Sequence, residues 1–270
     1  MTDFQVKVHV NGHIGRLEWS AAVNQETLDR AVSMAADDVL IGRGVHRVEV
    51  GLPAPDVKAR RAVIRAGFRQ EGVRRDAMAT DDGYVDVVLY SRLVGDIVTG
   101  QGGFSGVMNS VLATKRVIAH CIFRDRRGRI LLCNTHYKPD YELPGGVVEK
   151  HESPRIGVIR EVAEEIGLEI TAPALRIVDW LPPALGWDDA LQFLYDGGTI
   201  DDAQIAGLRR QESEIASLHW VSVDDLGDVM SERSTARIKQ ALDLDDGQTL
   251  MLEDGMPVAS DIDPSDPEEH

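Results

Sequence analysis

The sequence predicts an α/β chain of the α+β type, built as two units. Three observations point to it. Strand-like and helix-like periodicities alternate along the length. A stretch richer in Gly and Ser, 94–113, interrupts them. Charge divides at nearly the same place: residues 1–95 hold 13 basic and 13 acidic residues, and residues 96–270 hold 16 and 32. The chain has 270 residues and a formal net charge of −16. Its acidic surplus argues against duplex nucleic acid or an anionic membrane as a partner. No apolar run of spanning length and no signal-peptide pattern occurs, so the cytoplasm is the expected location. The two cysteines, Cys121 and Cys133, make no disulfide framework and are expected to be reduced and buried.

The first unit opens with an alternating run from Phe4 to Val10. An Asn11-Gly12 turn and a second short run to Trp19 complete a hairpin signature. Residues 25–41 are helical in pattern and stop at Gly42-Arg43-Gly44. A buried strand is expected over 46–52, a helix over 56–66, and strands over 68–73 and 84–90. The second unit begins with a strand over 116–123, a turn at Asp125-Arg126-Arg127-Gly128 and a return strand over 130–133. Further strands are expected at 175–181, 191–195 and 218–221, with helices over 223–229 and 233–243. The expected divisions are 1–95, a Gly-rich linker over 96–112, 113–243, and an acidic extension over 244–270. Ten acids and no Lys or Arg fall within 243–270, and its Pro-rich end is expected to be disordered.

The most informative segment is 146–168. Ser153 suits an N-cap, Pro154 the first helical position and Gly167 the stop. Between them Glu161, Glu164 and Glu165 fall within an arc of about 100°. Ile159, Val162, Ala163 and Ile166 lie opposite. Like charges so spaced cost a helix a few tenths of a kcal/mol each. A cation turns that repulsion into ligation, and an all-oxygen set favours a hard ion, Mg²⁺ or Mn²⁺. A Glu-rich helix alone is as readily a solvated face. The spacing of Gly146, Glu152, Arg160, Glu161, Glu164, Glu165 and Gly167 weighs against that, since seven specified residues recur by chance in roughly one chain in a million.

That spacing, with Arg160-Glu161-Val162-Ala163-Glu164-Glu165-Ile166-Gly167-Leu168 at its end, matches the Nudix box, and residues 113–243 resemble a Nudix hydrolase domain. The resemblance implies an α/β/α sandwich around a mixed sheet. It implies hydrolysis of the pyrophosphate in a nucleoside diphosphate linked to another group, with Mg²⁺ or Mn²⁺. It also implies that Glu161, Glu164 and Glu165 hold metal and do the catalysis, that the Gly146 (or Gly145) carbonyl adds a ligand, and that Glu152 pairs with Arg160 to brace the loop. Tyr141 stands where many relatives have Trp. For substrate contacts the candidates are Tyr137 and Lys138, before the Gly-Gly turn, and Trp187 and Asp189, in a Pro/Gly loop. Trp180 and Phe193 are further aromatics, more in keeping with core. Glu214, before a strand, is a candidate second base. Pro183, 15 residues after Leu168, resembles the placement in ADP-ribose-cleaving members.

Residues 44–92 resemble the later part of a GNAT acetyltransferase. The resemblance rests on Val45-His46-Arg47-Val48-Glu49-Val50, on Ala59 to Phe68 with Glu71-Gly72, and on Asp86-Val87-Val88-Leu89-Tyr90. The acyl-CoA pyrophosphate loop is absent, since residues 19–27 contain no glycine before the first helix. Val63 stands where the family often has a tyrosine acid, and Asp56 where it has asparagine. A truncated, non-catalytic module is therefore expected. An incomplete sheet leaves an edge to be covered by homodimerisation or by docking on the second unit. Three readings stand together: a metal-dependent pyrophosphohydrolase, a nucleotide sensor signalling through the first module, and a bifunctional acetyltransferase/hydrolase.

Overall fold

In a computed structural model, residues 4–19 and 23–258 are described, and they fall into two units that divide between Ala113 and Thr114. The N-terminal unit runs β1 (Lys7–Asn11), β2 (Ile14–Glu18), α1 (Gln25–Asp37), β3 (Arg47–Pro53), α2 (Val57–Arg65), β4 (Arg69–Thr80), β5 (Gly83–Leu93) and α3 (Gly100–Val111). The first hairpin turns at Gly12-His13, one residue later than expected, with Asn11 paired to Ile14 and Gly12 at φ +58°. The expected helix over 25–41 changes character: after Asp37 a single π-helical turn, Asp38–Gly42, finishes it. Asn24 caps α1 by accepting from Thr27 N–H, and Asp56 caps α2 by accepting from Ala59 N–H.

The strands form one five-stranded sheet in the order β1-β2-β3-β5-β4. Only β2 and β3 pair in parallel. Val32, Ala36, Val48, Val50, Ala62, Val63 and Phe68 form its core, with α1 and α2 packed over the sheet. Val63 is wholly buried. β4 is much longer than expected, reaching Thr80 rather than Val73.

The Gly-rich linker expected over 96–112 is not a linker along its length. Most of it is α3, packed on β4 of the same unit. The small residues serve close approach: a Cβ at Gly103 would lie 2.5 Å from the Val98 carbonyl carbon, and one at Gly106 would lie 2.8 Å from Arg69 Nη2. Ser110 Oγ accepts from Gln70 N–H at 3.0 Å, tying α3 to β4.

The C-terminal unit runs β6 (Arg116–Arg124), β7 (Ile130–Thr135), β8 (Gly145–Val147), α4 (Pro154–Ile166), β9 (Ala174–Leu181), β10 (Ala190–Thr199), α5 (Asp202–Gly207), β11 (Ile215–Val221), α6 (Glu232–Asp243), β12 (Leu250–Glu253) and β13 (Met256–Pro257). The expected helix at 223–229 is a 3₁₀ turn, Val223–Asp228. The sheet order is β11-β7-β6-β10-β9-β12-β13, with β8 hydrogen-bonded to β6. It is mixed: β6–β10 and β9–β12 are parallel, and the other pairs are antiparallel.

Both faces of this sheet are buried. Cys121, Phe123, Leu131 and Cys133 point one way and pack with Val158, Val162 and Ile166 of α4. Ile122, Ile130 and Leu132 point the other way and pack with Ile238 and Ala241 of α6. The strand period of two thus splits β6 and β7 between two cores, giving the α/β/α sandwich. The cysteines are unpaired and buried, one on each strand, and burial pushes both thiols upward. Part of the expected acidic extension belongs to this sheet, because β12 lies parallel to β9. The Pro-rich end, 259–270, lies outside the described residues. Among the described residues, no helix is long and apolar enough to cross a membrane.

Candidate active site

The short strand β8 carries the Gly-Gly turn to the sheet. Its Gly145 pairs with His120 of β6, and Gly146 pairs with Ala119. Gly145 sits at φ +130°, and a Cβ there would come within 2.2 Å of the Ala119 carbonyl oxygen. Only glycine satisfies both conditions. At Gly146 the missing side chain serves the acids instead: a Cβ would lie 3.0 Å from the Glu161 carboxyl carbon and from its Oε2.

Helix α4 starts and stops as its sequence signals. Ser153 Oγ accepts from Ile156 N–H, Pro154 opens the helix, and Gly167 ends it in the left-handed region at φ 67°. Its apolar face differs from expectation in two residues. Ile159 is only partly buried and lies outside the core. Ala163 is exposed, and Val158 takes the core position beside Val162 and Ile166.

The three acids are not equivalent. Glu165 is 8% exposed and its Oε2 accepts from Gly145 N–H at 2.7 Å. Burial pushes its carboxyl up to about 7, with the charges of Glu161, Glu142 and Glu214 adding to the effect and the Gly145 hydrogen bond opposing it. Glu161 is half-buried, and burial raises its carboxyl against the pull of Arg160. Glu164 is the exposed member. Arg160 links the set: Nε and Nη2 meet Glu152 at 3.1 and 3.0 Å, and Nη1 meets Glu161 at 2.9 Å and Glu164 at 3.1 Å. The Glu152 pairing lowers the Glu152 carboxyl and raises the guanidinium. Nη2 also donates to the Val147 carbonyl, so Arg160 ties the 147–152 loop to the helix.

Two more acids reach this cluster by tertiary routes. The turn 209–215 closes the end of α4, where Arg209 N–H donates to the Ile166 carbonyl and Gln211 N–H to that of Glu165. His136 N–H donates to the Glu214 carbonyl. Glu214 is thereby held close enough to act on both Glu161 and Glu165. Glu142, which sequence reasoning passed over, pairs its backbone with Cys133 and bears on Glu165. Its place in Tyr141-Glu142-Leu143-Pro144-Gly145-Gly146 was the available signal.

The other sequence candidates are spread out. The Lys138 ammonium is bound to Glu142 Oε1 at 2.5 Å and lies 5.6 Å from the Tyr137 ring centroid. Tyr137 is 65% exposed. Trp187 is exposed on the β9–β10 hairpin, with the Arg116 guanidinium 4.6 Å from its ring centroid. Asp189 is occupied by Lys115 and by Trp180 Nε1, and so serves the base of that hairpin. Phe193 packs against the α4-side core.

The donor set fits a hard divalent ion. It consists of carboxylates whose protons are held tightly by burial and mutual repulsion, around a glycine that leaves room for one of them. Among the described residues, no three His, Cys, Asp or Glu side chains converge as a ready cluster. Arg160 Nη1 stands between Glu161 and Glu164 and already serves as their shared cation.

A family model described as NUDIX domain matches residues 114–243. The C-terminal unit contains a NUDIX domain. It is thereby a hydrolase domain for phosphoric anhydride bonds, of a family that uses divalent metal ions. A "MutT-like protein" of Streptomyces ambofaciens is 29% identical over 123 residues, 43% of this chain and 70% of that relative. A "CMP-5'-(N-acetyl-N-hydroxy-3-aminopropyl)phosphonate hydrolase" of Streptomyces rubellomurinus is 27% identical over 127 residues, 46% of this chain and 59% of that relative. Among solved structures, the MutT protein from Methanosarcina mazei Go1 matches 50% of this chain and all of its own, at 23% identity and TM-score 0.42. A GNAT-family acetyltransferase from Bacillus anthracis matches the N-terminal part, covering 33% of this chain and 57% of its own, at 17% identity and TM-score 0.31.

Proposed function

We propose that the NUDIX domain hydrolyses the diphosphate of a nucleoside diphosphate joined to a second group, with Mg²⁺ or Mn²⁺ held by Glu161, Glu164, Glu165 and the Gly146 carbonyl. The observation that carries this reading is the placement of Glu161 and Glu165 against the two glycines of β8. Bound metal neutralises the diphosphate oxygens and makes water a better nucleophile at neutral pH. The chain's own part is positional. Gly145 N–H orients the Glu165 carboxylate, and Arg160 holds the loop through Glu152 while restraining Glu161 and Glu164. Water attacks one phosphorus, the bridging P–O bond breaks, and a carboxylate of the cluster takes the water's proton. Glu165, the most buried acid of the cluster, is one candidate for that task, and Glu214, held beside it, is the second.

The CMP-linked substrate named for one relative supports a nucleoside monophosphate joined through its phosphate as the substrate class. ADP-ribose is the competing choice. The N-terminal unit is proposed as a non-catalytic module. Its helix α1 is capped by Asn24 with no glycine at that end, and Asp56 is spent on capping α2.

The deciding experiment measures release of nucleoside monophosphate from ADP-ribose, a UDP-sugar, a CDP-alcohol and dGTP, with Mg²⁺ and with Mn²⁺. Glu164→Gln and Glu165→Gln are the controls. Turnover that survives both substitutions overturns the site assignment. Tight nucleotide binding without turnover favours the sensor reading.

A further inference from the structure

A second polar set lies on the opposite face of the same sheet from α4. Ala119 and Cys121 of β6 pack in the α4-side core, so His120 between them points toward the α6 side. His120 pairs with Gly145, the residue whose N–H holds Glu165. The imidazole therefore lies one peptide away from the acid cluster, through the sheet. Its Nδ1 is 3.0 Å from Gln192 Nε2. Gln192 is 8% exposed and stands opposite Asp179 in the β9–β10 register.

The charges around the ring are already paired. Asp179 is fully buried and takes Arg237 at 2.7 Å and Gly255 N–H at 3.2 Å. Glu142 takes Lys138. Glu142, Lys138 and Arg237 are the charged side chains that bear on His120, and each is already held in an ion pair. When Gln192 Nε2 donates to Nδ1, the ring proton sits on Nε2. Nε2 has no partner among the described residues, and the ring is half-buried. The site thus offers one neutral donor in a set direction, flanked by closed ion pairs. Phosphate oxygens are better matched by a cation or metal. A neutral acceptor gives up little hydration to meet such a donor, and a site built for it rejects analogues that lack it.

We propose that His120 Nε2–H donates to a carbonyl oxygen or ring nitrogen on the nucleoside part of the substrate, with Gln192 as the positioning residue that keeps the proton on Nε2. This rests on the hydrolase reading above and deepens it.

The test has a spectroscopic arm and a kinetic arm, both on the full chain. Long-range ¹H–¹⁵N spectra at neutral pH should show His120 as the Nε2–H tautomer. Gln192→Ala should turn it into a tautomer mixture. With the same four substrates, His120→Ala should raise KM about five- to tenfold for the preferred base and narrow the spread between bases. Its kcat should change by less than about twofold. His120→Gln, which keeps a donor, should restore part of the preference. An Nδ1–H tautomer, or an unchanged KM and base preference in His120→Ala, overturns the proposal. If the wild-type chain cleaves none of the four, the hydrolase reading fails separately. Titration with AMP, CMP, GMP and UMP then decides: a base-selective shift of His120 Nε2 supports the contact, and no shift overturns it.

Discussion

The Glu165 carboxylate accepts a hydrogen bond from Gly145 N–H at 2.7 Å, across twenty residues of chain. The bond joins the helix of acids to the Gly-Gly turn and aims the most buried acid of the cluster. Glu165→Gln keeps the shape and removes the charge. It should lower kcat at saturating metal at least about a hundredfold, the size expected for a group acting on the transition state. The melting temperature should not fall, because a neutral side chain relieves the crowding by Glu161, Glu142 and Glu214. Stopped turnover together with an intact melt is the expected result, and loss of folding counts against the assignment.

Gly145→Ala and Gly146→Ala should fail in different ways. At Gly145 the new Cβ meets backbone at 2.2 Å in a left-handed conformation. Strain of that kind costs about 1–3 kcal/mol before any clash is added, so soluble yield and melting temperature should drop. At Gly146 the Cβ meets only the end of Glu161, at 3.0 Å. Folding should survive there while metal affinity weakens, as titration calorimetry with Mn²⁺ would show.

Arg160 is the shared cation of Glu152, Glu161 and Glu164. Arg160→Ala should leave those acids repelling one another and cost roughly 1–2 kcal/mol. The melt of this variant should gain more from added Mn²⁺ than the wild-type melt does, because a metal replaces the missing cation. Equal gains in both proteins would argue that no metal enters the cluster.

In the N-terminal unit, Glu71 takes Arg47 and the Ser91 hydroxyl. The Arg47 hydrogen bonds hold its carboxyl below the ordinary range. A depressed folded-state pKa gives stability that is present above the unfolded carboxylate pKa and lost as pH falls through the folded value. Glu71→Gln should therefore melt lower than wild type at neutral pH, and the gap should close in acid. The pair is partly exposed, so the gap should also shrink with salt. A difference constant from neutral pH down to strong acid would remove the ion pair as its cause.

The reach of the sequence differs from place to place. The ends of α4 were legible because Ser153, Pro154 and Gly167 act on their own neighbours. The first hairpin was legible for the same reason, although its turn falls at Gly12-His13 rather than Asn11-Gly12. The stretch 96–112 misled, because glycines that signal a flexible linker here allow α3 to sit close to Val98 and Arg69. Ala163 misled because a helix of acids has no clean apolar stripe, and the register of α4 on the sheet chose Val158 instead. β12 was missed because four residues carry no period, and pairing with β9 makes them a strand.

By itself, the sequence determined the spacing of Gly146, Glu152, Arg160, Glu161, Glu164 and Glu165. That the acids share one helix face is a local property that side-chain type and interval set directly, and the class of chemistry came with the resemblance of that spacing to the Nudix box. Only the tertiary structure decided that Glu165 is the buried acid, that Glu142 and Glu214 stand beside it, and that His120 lies through the sheet from it. Burial and long-range proximity depend on strand register and on which turn closes which helix. Those are settled by packing among residues far apart in the chain, and no local interval records them.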